Sequence, residues 1–182
     1  MAATAKVCDF GWKAAPFDLA GVDGKRHTLA SARGPNGLLV MFICNHCPYV
    51  KAVIDKIVRD CRELSPHGIG AVGIMSNDPA YSAEDSFDSM KRIAREKGFP
   101  FPYVLDDTQA VARAYGAQCT PEFFGLNSRL ELQYHGRLDA SGTRALPDAK
   151  RELFEAMMQV AQTGVGPKDQ VPSIGCSIKW RP

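Results

Sequence analysis

The chain has 182 residues, with 22 Lys and Arg against 20 Asp and Glu and a formal net charge of +2. That is long enough for one sizeable core and too evenly charged for a nucleic-acid surface. No stretch approaches the about 20 apolar residues of a membrane span, and no basic segment followed by an apolar one opens the chain, so one domain over residues 1–182 is expected, in the cytoplasm, with neither nucleic acid nor membrane as partner.

Phe17-Asp18-Leu19 and His27-Thr28-Leu29 flank Val22-Asp23-Gly24-Lys25. Asp-Gly tolerates positive φ at both central positions, which predicts an N-terminal β-hairpin. Pro35-Asn36-Gly37 then turns the chain into an uninterrupted apolar run, Leu38 to Ile43, read as a fully buried strand. From Pro48 the residues Val50, Val53, Ile54, Ile57, Val58, Cys61 and Leu64 recur at helical spacing, and Ser65-Pro66-His67-Gly68 ends that helix. Pro48 suits a first turn, where its missing N–H costs no helical bond. Ile69 to Met75 is a second buried strand. A helix is predicted over Ala83–Lys97, with Ser82 and Asp85 as a capping arrangement, then a short strand at Tyr103–Leu105 and a short helix from Thr108 to Tyr115. Phe123–Leu126 and Leu130–Arg137 read as a second hairpin. A last helix is expected from about Pro147 to Gln162, and the tail over 168–182, carrying Ile174, Cys176, Ile178 and Trp180, is too apolar to float freely and is expected to pack on the domain.

Six cysteines in a chain without an export signal are thiols unless catalysis oxidises them. Two of them, in Cys44-Asn45-His46-Cys47-Pro48, stand where the buried strand hands over to a helix. There, unpaired amides and the helix dipole stabilise an anion, and a cysteine pKa falls from about 8.5 to roughly 3.5–7.5. Cys44 is read as the nucleophile and as the more exposed and more acidic thiol, Cys47 as the more buried one that resolves the mixed disulfide. His46 lies between them and can favour the thiolate by hydrogen bonding or charge. A Cys-x-x-Cys is also half a zinc site, so the spacing alone does not decide. Cys61 sits on the helix's apolar stripe and is read as structural. Cys8 lies near the start of the chain and carries little weight.

Strand, Cys-Asn-His-Cys-Pro and amphipathic helix resemble the active site of the thioredoxin superfamily, in its redoxin branch of alkyl hydroperoxide reductase/thiol-specific antioxidant-like proteins. The likeness in element order runs from about Phe17 to about Gln162. It implies an α/β thioredoxin fold: a central mixed β-sheet flanked by helices, with the N-terminal hairpin, an inserted helix–strand–helix passage and a C-terminal tail. It also implies that Thr120-Pro121 is a cis-proline loop facing the cysteines, which docks an extended substrate by strand addition. Cys119, next to that loop, and Cys176, in the tail, are candidate additional redox cysteines. Minimal thioredoxin keeps a buried carboxylate where this chain has Leu38, and no acid replaces it nearby in the sequence.

The expected activity is thiol–disulfide exchange without a cofactor or resident metal. Its substrate is a disulfide-bearing protein or a small thiol or disulfide, and the sequence does not name the electron donor. The expected poise lies between the about −270 mV of thioredoxin and the about −180 mV of protein disulfide isomerase. Two alternatives share the fold. A peroxiredoxin-like thiol peroxidase has a Thr three residues before its peroxidatic Cys-Pro; here Cys47-Pro48 would carry that role with Cys44 in the Thr position, or Cys44 itself would be peroxidatic. A copper-binding thioredoxin-like chaperone would use Cys44, Cys47 and a histidine, with His135 as candidate third ligand.

Overall fold

The computed structural model describes residues 1–182. Its first element, β1 (Ala2–Thr4), has no strong signal in the sequence and pairs with the far end of the chain. The Asp23-Gly24 turn folds β2 (Asp18–Gly21) against β3 (Arg26–Thr28), with Gly24 at φ 78° and the Lys25 amide donating to Asp23 Oδ1. Thr28 caps a single helical turn, α1 (Leu29–Ala32), which the sequence reading does not anticipate.

The apolar run becomes β4 (Gly37–Phe42), buried along its whole length. Leu39 and Met41 join one apolar cluster, while Leu38, Val40 and Phe42 join another. Both faces of the strand are covered, so alternation disappears from its sequence. α2 (Pro48–Leu64) starts with Pro48 in its first turn and buries the stripe from Val50 to Leu64. After a 3-10 turn at Ser65–His67, Gly68 at φ 79° leads into β5 (Ile69–Met75).

The predicted helix at 83–97 is divided. Ala83–Asp85 forms a 3-10 turn, and α3 (Phe87–Glu96) starts only after Ser86, whose hydroxyl accepts from the Ser89 amide. The division frees the Asp85 carboxylate to turn inward. β6 (Tyr103–Leu105) and α4 (Ala110–Tyr115) follow, with Gln109 at φ 60° delaying the helix start. Then come β7 (Cys119–Thr120), β8 (Glu122–Asn127) and β9 (Leu132–Tyr134). Leu130 at φ 58° belongs to the connecting turn and shortens the expected second strand. α5 (Glu152–Thr163) begins five residues later than predicted, because Arg151 ahead of it has non-helical backbone. Leu153, Ala156, Met157 and Val160 form its buried face.

The strands β3-β2-β6-β5 and β4-β8-β9 form two ribbons. They meet where the Ile43 amide donates to the Ile74 carbonyl at 3.0 Å. β5 and β6 are parallel and the other pairings antiparallel, so the central sheet is mixed, with a bulge at Gly125/Leu126. No helix is long and apolar enough to cross a membrane.

The last strand, β10 (Ile174–Ser177), lies between β1 and β7 in a separate three-stranded sheet. Gly175 is a strand residue, and a Cβ on it would stand 2.1 Å from the Thr120 carbonyl oxygen. Only glycine allows that approach. Of the apolar tail residues Ile178 is buried, whereas Ile174 and Trp180 are exposed, the latter under the Arg113 guanidinium.

Candidate active site

Cys44 to Cys47 form the loop from β4 into α2, and Cys47 is the residue that caps the helix. The Thr120–Pro121 bond is cis, and its loop faces both cysteines. Cys44 Sγ stands 3.1 Å from Thr120 Oγ1, and the Cys47 thiol is 3.2 Å from the Thr120 carbonyl, to which it donates when protonated.

The two sulfurs meet different fields. The Cys44 thiol donates to the Cys47 sulfur, is enclosed by protein and faces the Asp85 carboxylate, and all three hold its pKa well above that of a free thiol. Cys47 is pushed down to about 5. The hydrogen bond from Cys44 is the first cause, followed, against the cost of burial, by the Cys176 thiol and the amides of Val50 and Cys176. Cys47 makes no full side-chain capping bond to the helix, but the Val50 amide in the first turn still favours negative charge on its sulfur. The Asp85 carboxylate on the Cys44 side and the helix-start amides on the Cys47 side favour charge on Cys47, against the order expected from the sequence. Cys44 is not an exposed nucleophile either, since the two residues are 1% and 0% exposed.

His46 also departs from its expected role. Its Nδ1 lies 2.5 Å from Asp85 Oδ2, so its polar contact goes to the carboxylate. Asp85 is fully buried and accepts from the Asn45 and His46 amides at 2.8 and 3.1 Å and from Asn77 Nδ2 at 3.0 Å. Asn45 in turn donates to the Glu84 carbonyl and accepts from the Tyr103 hydroxyl. The middle of the Cys-x-x-Cys loop is thus stapled to the turn before α3.

Asp85 escapes the sequence reading because its spacing from Ser82 suggests a helix cap. A second missed acid, Glu122, follows Pro121 and is fully buried. Its Oε2 accepts from the Gln118 and Cys119 amides at 2.7 and 2.9 Å, which fixes the loop before Pro121, and its Oε1 lies 2.7 Å from His135 Nε2. A lone acid ahead of two phenylalanines in a buried strand is a signal that could have found it. Leu38 lies in the apolar core, so the carboxylate near the cysteines comes from another segment.

His135 is held by Glu122 and stacked on Phe124, which corrects its candidacy as a metal ligand. The group with ligand atoms close enough to share a cation is Cys44, His46 and Asp85, within 4.8 Å of one another, and it does not include Cys47.

Cys119 is buried, its thiol directed at the Pro121 carbonyl 3.8 Å away, and burial with Glu122 beside it pushes its pKa up. Cys176 is partly exposed, stands opposite Thr120 in the β10–β7 register, and has its thiol raised to about 11 by burial and by the Cys47 sulfur. The strand edge expected to receive a substrate at Thr120 is therefore occupied by the chain's own tail. Cys8 is half-buried and raised to about 11, mainly by burial. Cys44 also lines a cavity of about 280 Å³ together with Ile43, Val50, Ile54 and Phe99, with Lys51 and Arg92 among its polar residues.

No curated protein sequence matches the chain. Among solved structures, an uncharacterized conserved protein from Geobacillus kaustophilus is 40% identical, with a TM-score of 0.94 over 100% of this chain and 97% of that one. A hypothetical protein from Sinorhizobium meliloti 1021 is 34% identical, with a TM-score of 0.92 over 98% of each chain. More distantly, a peroxidoxin from Mycobacterium tuberculosis, at 14% identity and a TM-score of 0.61 over 86% of this chain and 97% of that one, shares the fold. The AhpC/TSA family profile matches residues 10–141, across the hairpin, the cysteine loop and the cis-proline loop. The chain is therefore a thioredoxin-fold redoxin and belongs to the AhpC/TSA family.

Proposed function

We propose that the protein is a thiol–disulfide oxidoreductase working through the Cys44/Cys47 pair, with Cys47 as the attacking thiolate and Cys44 as the thiol that completes the disulfide. The observation that carries this reading is the pair of thiols at the strand–helix junction held against the cis Thr120–Pro121 loop, Cys44 Sγ 3.1 Å from Thr120 Oγ1 and the Cys47 thiol 3.2 Å from the Thr120 carbonyl, with the helix start on the Cys47 side and the Asp85 carboxylate on the Cys44 side. Cys47 thiolate attacks a disulfide RS–SR′, forms Cys47–SR and releases R′S⁻. Cys44 then attacks the Cys47 sulfur, the Cys44–Cys47 bond forms, and RS⁻ leaves; the Cys44 proton goes to the departing thiolate. In sum one external disulfide becomes two thiols while the dithiol is oxidised.

His46 and Asp85 act in this scheme as positioning residues that hold the loop, and Thr120 orients Cys44 through its hydroxyl. The setting is a reducing cytoplasm, where a small thiol donor regenerates the dithiol. Thiol labelling followed by mass spectrometry, after equilibration in glutathione buffers, tests the reading. A two-electron Cys44–Cys47 couple is expected, and a protein that never forms this disulfide would refute it.

A second reading, peroxide reduction, is favoured by the enclosure of Cys47, which suits a small substrate. Cys47 thiolate would attack ROOH with uptake of a proton to give Cys47–SOH and ROH, and Cys44 would condense with the sulfenic acid, releasing water. Peroxide consumption by wild type against Cys47→Ser separates the two readings, since disulfide exchange alone consumes none.

A further inference from the structure

We propose that β10 is a tethered internal substrate, in which Cys176 exchanges disulfides with Cys47 and carries electrons between small external thiols and the buried pair. This rests on the Cys44/Cys47 reading above and assigns its entry point and its class of partner.

Placement is the first observation. β10 lies along β7 with Cys176 opposite Thr120 and Ser177 opposite Cys119. Gly175 lets the strand close on the Thr120 carbonyl. A strand that brings a cysteine to this position is what an extended disulfide partner would have to present. The tail is also fastened beyond this contact. The Ile178 amide donates to the Gln118 carbonyl at 3.2 Å, the Lys179 amide to Asn77 Oδ1 at 2.9 Å, and the Ala5 amide to the Ser173 carbonyl at 2.8 Å. An incoming polypeptide would have to strip away the whole strap. A small thiol such as glutathione need not.

Contact and exposure are the second and third. The Cys47 thiol reaches the Thr120 carbonyl at 3.2 Å and Cys176 stands opposite that same residue, so both cysteines meet at Thr120, and the Cys176 thiol and amide favour charge on the Cys47 sulfur. Of the three clustered cysteines, Cys44 and Cys47 are buried and Cys176 is the one that solvent reaches. Cys119 is not a competitor, because its buried thiol is committed to the Pro121 carbonyl.

The relay balances. With Cys44–Cys47 oxidised, Cys176 loses its proton to solvent and attacks the Cys47 sulfur. The Cys47–Cys176 bond forms, the Cys44–Cys47 bond breaks, and Cys44 leaves and takes up a proton. An external thiolate then attacks the accessible Cys176 sulfur, giving a mixed disulfide and expelling Cys47 as the thiolate that its surroundings favour; the more acidic thiol is the better leaving group. A second external thiolate attacks the external sulfur of that mixed disulfide, releasing Cys176 and the small disulfide. Two external thiols have supplied two electrons. Part of what raises the Cys176 pKa is the neighbouring Cys47 sulfur. That part disappears once Cys47 is bonded to Cys44, which is when Cys176 must attack.

Two measurements on the full chain test the relay. Cys44→Ser, treated with oxidised glutathione, acid-quenched and peptide-mapped without reduction, is expected to contain an intramolecular Cys47–Cys176 disulfide. Reduction of the Cys44–Cys47 disulfide by reduced glutathione is expected to be roughly tenfold or more slower in Cys176→Ser than in wild type, the order of gain a tethered partner gives. If Cys44–Cys47 still forms in Cys176→Ser but the rate is unchanged and no Cys47–Cys176 link appears, the relay is overturned and the underlying couple stands. If Cys44–Cys47 forms in neither protein, the underlying reading fails. Should Cys44→Ser not fold, the Cys47–Cys176 link is sought in wild type by rapid alkylation during reduction, and its absence there overturns the relay equally.

Discussion

The two sides of the cysteine loop are built from different materials. On the Cys44 side stand a buried carboxylate, a tyrosine-anchored asparagine and a cavity with a partly charged lining; on the Cys47 side stand a helix start, the Thr120 carbonyl and the tail. The motif is nearly symmetrical in sequence, and these surroundings give its two thiols opposite acidities. The order of cysteines along the chain therefore does not decide which one ionises. What decides it is which sulfur lies near amides and which near a carboxylate.

The largest effect that could break this comparison is on turnover. Cys47→Ser should abolish disulfide exchange, a loss of about a thousandfold or more as for removal of a covalent nucleophile. Cys44→Ser should still form a mixed disulfide at Cys47 but resolve it only through Cys176, without completing the Cys44–Cys47 bond. Trapping on the Cys47→Ser protein through Cys44 instead would overturn the assigned roles.

Next comes pH. Thiolate absorbance of the reduced protein should titrate with a midpoint near 5 for Cys47. The folded pKa lies below the unfolded value near 9, so the stability the thiolate contributes is fully present above about 9 and is lost as pH falls through about 5. Cys44→Ala removes the largest cause, so its midpoint should rise by roughly one unit or more, or about 1.4 kcal/mol per unit. An unmoved midpoint would mean that Cys47 draws its acidity from the helix start and from Cys176 rather than from Cys44.

Asp85→Asn should act on the other side. It keeps one oxygen for the Asn45 and His46 amides but removes the charge that opposes ionisation of Cys44, so the two thiol pKa values should move closer together. Rearranging a buried hydrogen-bonded group should cost about 1–3 kcal/mol in thermal or denaturant unfolding. A stability loss with no change in Cys44 reactivity would reduce Asp85 to a staple.

The smallest effect is expected from His46→Ala. Because the ring is bound to Asp85, the redox potential should shift by about 30 mV or less, the equivalent of ~1.4 kcal/mol. Equilibration in glutathione buffers measures this. A larger fall would restore the imidazole to the Cys44 sulfur.

Much of the fold was legible because its signals are local. The continuous apolar run of β4, the stripe of α2, the Asp-Gly hairpin and the Thr-Pro before an aromatic strand each state their structure within a few residues. The cysteine pair and its facing loop were equally legible. Asp85 was not, because a helical pattern from Ala83 absorbed it, and only the Ser86 cap releases it. Glu122 and His135 meet across neighbouring segments of β8 and the end of β9, and their partnership depends on a pairing with a bulge that no local pattern gives. The register of β10 against Thr120 is a contact between residues 56 positions apart, and it overturned the expectation of an open docking edge.

That register reaches further than the cysteines. β10 is the middle strand of its sheet, with Ala2–Thr4 on one side and Cys119–Thr120 on the other, and the Ser177 amide is tied to the Met1 carbonyl at 3.0 Å. Any event that lifts Cys176 away from Cys47 unpairs the chain's first residues at the same moment. Deuterium uptake at the amides of Ala3, opposite Gly175, and of Ala5, which donates to the Ser173 carbonyl, would then act as a remote gauge of what happens at a sulfur more than a hundred and seventy residues away in sequence.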